Sequence, residues 1–204
     1  MPGRIHRDLE GLLLRSRRSV ITTRRAAAAG IRPNTLQQMA RRGVLIRLSH
    51  GVYRFPVSRE DDDDRVEAAL HWPRCKGVVI SHESALALHG LTDMPREIDV
   101  GVPWDYRTRR IMPEYVSLRR MVVSVYDKTK VHGIPCTTVE RTLFDLGVEG
   151  PREEVVWKIK EALTANLLTE VDARRLCVEL RISESVLAQS VEVNWDKSGL
   201  LRSP

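Results

Sequence analysis

The residues with the most nameable chemistry lie in one stretch, IRPNTLQQMARRGVLIRLSHGVYRF, running from Ile31 to Phe55. On a helix through its first half, Asn34, Gln38 and Arg41 share a face, with Gln37 and Arg42 on the flanks. Asparagine, glutamine and arginine carry donor and acceptor pairs that match the adenine and guanine edges in the major groove of duplex DNA. A polar face of this kind would equally suit an ordinary solvated helix. The neighbouring elements decide between the two.

Those elements can be derived locally. Pro33 disfavours helix at the residue before it, Asn34 is a strong N-cap, and Gln37 three residues on can return a capping-box bond. Gly43 supplies the positive φ that commonly ends a helix. Between them Leu36, Met39 and Ala40 form the apolar stripe at i, i+3, i+4. Upstream, Thr22 or Thr23 can cap RRAAAAG, a short alanine-rich helix closed by Gly30. Helix, glycine-containing turn and helix make the helix-turn-helix signature. Downstream, Val44, Ile46 and Leu48 alternate with Leu45 and Arg47, Ser49-His50-Gly51 forms the loop, and Val52 to Phe55 return as a second strand ended by Pro56. Leu9, Leu12 and Leu13 predict an earlier helix that covers the pair. The expected unit is a winged helix-turn-helix. Its candidate DNA contacts are Arg24, Arg25, Asn34, Thr35, Gln37, Gln38, Arg41 and Arg42 on the helices, with Arg47, His50 and Arg54 on the wing. His50 could equally be a loop residue without a role.

Charge agrees. Up to Pro56, twelve arginines stand against Asp8 and Glu10, a net +10, in a chain whose total is +6, so everything after Pro56 carries −4. The positive field is therefore local to the segment that holds the polar helix. Each phosphate neutralised by such a surface releases counterions, so binding to DNA would depend steeply on salt. All twelve bases are arginine, which favours bidentate contact with phosphate and guanine.

The 204 residues accommodate one large domain or two small ones. Composition breaks at SREDDDD, Ser58 to Asp64, which reads as a solvated acidic linker leading into the helix RVEAALHW. Expected boundaries are thus 1–57 for the winged domain, 58–64 for the linker and 65–204 for a second, α+β domain. In the latter, strands are predicted at Lys76–Ile80, Glu97–Val102 and Tyr115–Tyr126, with a turn and short strand at Val131–Pro135. Helices follow: one capped by Ser81 and stopped at Gly90, one begun by a Thr137/Glu140 capping box and ended at Gly147, one over Pro151–Leu168, and one capped by Thr169 and Asp172. Strands gathered before a helical end indicate α+β rather than a doubly wound sheet.

Several constellations invite chemistry and decline it. His82 and His89 share a helix face but lie about 10 Å apart along its axis, too far for one metal. Ser81, His82 and Glu83 are chain neighbours whose side chains diverge, and Arg141 with Asp145 forms an ordinary i,i+4 pair. Cys75, Cys136 and Cys177 match no zinc spacing and read as reduced, buried thiols. No phosphate loop or dinucleotide fingerprint is present, so no cofactor, metal or catalytic residue is expected. No apolar run reaches the ~18 residues of a membrane span and no secretory leader is evident, which predicts a cytoplasmic protein.

Three motifs in order, GVLIRLSHGVYRFP (43–56), SHESALALHGL (81–91) and VHGIPCTTVERTLFDL (131–146), resemble the AbiEi family of antitoxin-type transcriptional regulators. The resemblance runs from about Ser19 to about Leu146. It implies an N-terminal winged helix that binds operator DNA and represses its own operon, and a C-terminal domain that counters an AbiEii-like nucleotidyltransferase toxin. It places the recognition helix and wing at Asn34–Arg42 and Arg47–Arg54 and implies no catalytic residue. Two other readings fit the residues alone: a DNA-processing enzyme delivered by a winged helix, and a ligand-responsive regulator with no toxin partner.

Overall fold

The computed structural model describes Gly11, residues 20–56 and residues 62–183. The expected helix around Leu9, Leu12 and Leu13 falls on residues outside this set. The architecture is mixed α and β, with two sheets. Two compact units divide the chain: Met1–Val78 with Arg107–Val116, and Val79–Tyr106 with Ser117–Pro204.

The first unit runs β1 (Val20–Thr22), α1 (Thr23–Ala28), α2 (Pro33–Arg41), β2 (Ile46–Ser49), β3 (Val52–Arg54) and α3 (Asp62–His71). The Thr22 side chain caps α1, accepting from the Arg25 N–H at 3.2 Å. Both short helices end alike. Gly30 and Gly43 adopt φ of +79° and +74°, and the following residues, Ile31 and Val44, donate back to Ala26 and Met39, each at 2.9 Å. This is the Schellman closure, which satisfies the last helical carbonyls.

The start of α2 differs from the expectation. The helix begins at Pro33, with Arg32 as N-cap and no side-chain cap, so Asn34 is not the cap. Proline at the first helical position already has the required φ and lacks an N–H that would go unsatisfied there. Asn34 is thereby moved into the first turn and left exposed.

β1 was not foreseen, and it changes the hairpin. The sheet order is β1-β3-β2, antiparallel throughout, which puts β3 in the middle. Ile21 and Tyr53 face one side, packing with Ala26, Ile31, Leu36, Leu45 and Phe55. Val20 and Val52 face the other side and pack against Ala68 of α3, with Leu48 and Tyr115 partly buried beside them. Leu45 is buried and Ile46 exposed, the reverse of the alternation expected for Val44–Leu48. A register shift between Arg47 and Ser49 disturbs the pleat toward the turn.

α3 therefore covers the sheet of the first unit. The chain does not divide at residues 58–64, and Asp62–Asp64 are the first turn of a packed helix instead of linker. Asp62 and Asp64 supply an acidic helix start, and the apolar face of Val66, Ala69 and Leu70 is buried.

The second unit holds β4 (Val79–Ile80), α4 (His82–Leu88), β5 (Ile98–Pro103), β6 (Val116–Met121), β7 (Lys128–Val131), β8 (Ile134–Thr137), α5 (Val139–Glu149), α6 (Arg152–Thr164) and α7 (Glu170–Glu179), β6 beginning at the last residue of the first unit. Its sheet order is β6-β5-β4-β8-β7, with β4 parallel to β8 and antiparallel to β5. β7, Lys-Thr-Lys-Val, carries too little apolar alternation to have been predicted; it forms a hairpin with β8 through His132 and Gly133, both at positive φ, as a two-residue primed turn requires. α5 is capped by Thr138, not Thr137, and continues through Gly147 to Glu149. Gly147 meets a packing demand: a Cβ there would lie 2.5 Å from Leu180 Cδ1. Val155, Ile159 and Ala162 of α6 and Leu176 and Cys177 of α7 close the helical core with Leu143, as their spacing implied.

Candidate nucleic-acid interface

On α2 the apolar stripe is met as expected: Leu36 is 0% exposed and Met39 and Ala40 pack partly against the same core. This anchors the opposite face outward. Asn34, Gln38 and Arg41 are all exposed, at i, i+4 and i+7, and Arg42 follows them as the exposed C-cap. Thr35 and Gln37 are half-buried at the margins. Seven residues of helix span about 10 Å. That is the length of about three base steps at 3.4 Å each. Arg32, not among the expected contacts, is exposed at the N-cap; its position before Pro33 was the available signal.

α1 presents Arg24 to solvent, while Arg25 is half-buried in the last turn. On the hairpin, Arg47 and His50 are both exposed and joined: Arg47 donates to His50 Nδ1 at 3.1 Å and to the Ser49 carbonyl at 3.4 Å. The turn holds Gly51 at φ +81°, and the Gly51 carbonyl accepts from the Thr23 N–H at 2.8 Å. The hairpin turn is thus tied to the start of α1.

Arg54 is the exception among the expected contacts. It is 7% exposed, and its Nε lies 3.6 Å from Oδ2 of Asp64, itself 1% exposed. The cause is the position of β3. A strand in the middle of a sheet covered on both faces has no wet side, so its arginine turns to the acidic first turn of α3. Arg54 is a buried ion-pair partner where the wing reading expects an exposed side chain.

In the second unit the constellations named above settle into structural pairs. Arg141 Nε meets Asp145 at 2.9 Å, as its spacing implied, and NH1 meets Asp127 at 2.8 Å. Glu140 takes Arg175 as its partner in place of the Thr137 backbone. His89 donates from Nε2 to the Thr137 carbonyl at 2.9 Å. His82 lies between Ser81 Oγ, 3.0 Å from Nδ1, and Glu149 Oε1, 3.3 Å from Nε2. Sequence spacing could not bring Glu149 there. Ser81 is 0% exposed, so this hydroxyl is closed to any substrate from solution. Among the described residues no group of three His, Cys, Asp or Glu side chains is arranged to hold a metal, and no helix is long and apolar enough to cross a membrane.

Two helices joined by a glycine turn, with the second helix's polar face outward and a basic hairpin after it, make up a helix-turn-helix arrangement. Residues 12–56 match the model of a family described as "Transcriptional regulator, AbiEi antitoxin". Among solved structures, the RV2827C protein from Mycobacterium tuberculosis is similar in fold, with a TM-score of 0.54 and 18% identity over 92% of this chain and 78% of that one. No curated protein matches the sequence.

Proposed function

We propose that this protein is a DNA-binding autorepressor of a toxin–antitoxin operon. Its N-terminal winged helix reads operator DNA through α2, and the remainder of the chain counters a nucleotidyltransferase toxin. The observation that carries the DNA-binding half is the exposed row Asn34, Gln38 and Arg41, fixed by a buried Leu36 inside a segment matched to a transcriptional regulator family. Support for the toxin partner is the family description and the motifs at 81–91 and 131–146, which lie beyond the matched segment. The protein acts in this reading by binding, in the cytoplasm, without a cofactor.

Gel-shift titration of a duplex carrying the region upstream of its own gene tests the first half. Gln38→Ala with Arg41→Ala is expected to remove about 1–3 kcal/mol of discrimination per base-reading side chain. Equal affinity of wild type and double variant for that duplex would discard α2 as the reader. Rescue of growth on co-expression with the adjacent toxin gene tests the second half. A repression-defective variant that still rescues would point to direct antagonism.

A further inference from the structure

We propose that the DNA-binding surface of the first unit extends past the hairpin onto Arg74 and Arg109, a second phosphate-contacting site supplied by chain outside the regulator-matched segment. This deepens the DNA-binding reading above and rests on it. Residues 107–116 belong to the first unit although they are separated from it in sequence by two strands and a helix of the second. Arg110 fastens this segment in place: its NH2 donates to the Pro73 carbonyl at 2.8 Å, and its guanidinium stacks over the Trp72 ring at 4.7 Å from the centroid. Tyr115 adds a second fastening by packing near Val20, Val52 and Ala68.

Tyr115 also packs beside Leu48 of the wing strand, so the fastened segment adds exposed arginines to the unit that carries the wing. Arg74 is exposed and held at φ +58°, a left-handed conformation that a non-glycine residue keeps only where its surroundings impose it. Arg109 is exposed in the adjoining turn, where the Arg110 N–H bonds to the Thr108 hydroxyl at 3.1 Å. The Arg74 guanidinium sits below the ordinary arginine value, through desolvation first and then through the positive charges of Arg110 and Arg47. Arg47 is the wing arginine, so Arg74 lies within reach of its charge. Guanidinium groups held together repel one another, and a phosphate between them relieves that repulsion. The spacing is sequence-blind, so its contacts would position the duplex without reading it.

Fluorescence anisotropy of the full chain separates this from the helix reading. The probes are a labelled duplex of its own upstream region and a random duplex of equal length, each titrated over a range of salt. Arg74→Gln with Arg109→Gln is expected to weaken both duplexes by the same factor and to flatten log K against log salt by about 1.8, two contacts at about 0.9 each. Arg109→Gln alone, on an exposed turn, should give about half that change and guards against loss of the fold. Gln38→Ala with Arg41→Ala should instead narrow the gap between the two duplexes. If wild type binds steeply and both arginine variants keep its slope, the extension is wrong and the helix reading stands. If wild type binds neither duplex, both fall together.

Discussion

Arg54 and Asp64 form a pair whose loss should be felt in stability rather than in DNA affinity. Both are nearly sealed from solvent, and truncating Arg54 to alanine removes a cation from beside a buried carboxylate. Breaking such a pair costs about 3 kcal/mol. Arg54→Ala should lower the urea midpoint, while the fraction that remains folded binds DNA as tightly as wild type. A variant of unchanged stability and reduced affinity would return Arg54 to the interface. Arg141 offers a contrast in sign. Its partner Asp127 is pushed up by burial, but the Ser124 N–H and hydroxyl and then Arg141 outweigh this and leave it below the usual aspartate value. Its other partner, Asp145, ends above that value because burial dominates over Arg141. A depressed folded pKa means that Asp127 stabilises fully above the unfolded value, about 3.9, and that the contribution fades as pH falls through the folded one. Asp127→Asn should therefore be destabilising at pH 7, with the deficit closing on acidification below about 4. For Asp145, ionisation works against the fold, so Asp145→Asn loses only the Arg141 bonds and should be milder at pH 7. Urea melts across that pH range compare the two.

At the scale of elements, α2 was the most legible part, because its stripe, its glycine stop and its polar face are all local signals. Its first residue was misread since proline and asparagine side by side offer two competing helix starts, and proline at the first position prevailed. β1 escaped because three residues, Val-Ile-Thr, carry no periodicity; they become a strand only by pairing with Val52–Arg54, some thirty positions away. That omission, together with α3 being read as linker, accounts for the wrong burial of Arg54. Local sequence places Gly51 in the turn, yet the reason for its close fit is not local. A Cβ there would stand 2.9 Å from Thr23 Oγ1, on a backbone already at positive φ. Gly51→Ala should cost at least the roughly 1–2 kcal/mol of a left-handed alanine. A thermal melt measures it. The accompanying loss of DNA affinity would be larger than for an exposed-surface change, because the turn positions Arg47 and His50.

For the whole molecule, the concentration of arginine before Pro56 correctly marked where a basic unit begins but not where it ends. Charge is a one-dimensional signal, whereas the unit is completed by α3, an element that starts acidic, and by a segment that returns at Arg107. A fragment stopping at residue 57 would lack Ala68 and Tyr115, the cover over Val20 and Val52. It should melt well below the full chain and bind a hydrophobic dye. A fragment ending at 78 should recover part of the loss, and only chains passing 116 should recover the rest. The same interleaving sets a clock during synthesis. The ribosome adds about 5–20 residues per second, so the sixty positions between Pro56 and Val116 delay completion of the first unit by roughly 3–12 s after its hairpin is made. In that interval β5 of the second unit is already synthesised, so the two units mature together on the nascent chain and neither is finished before the other has begun.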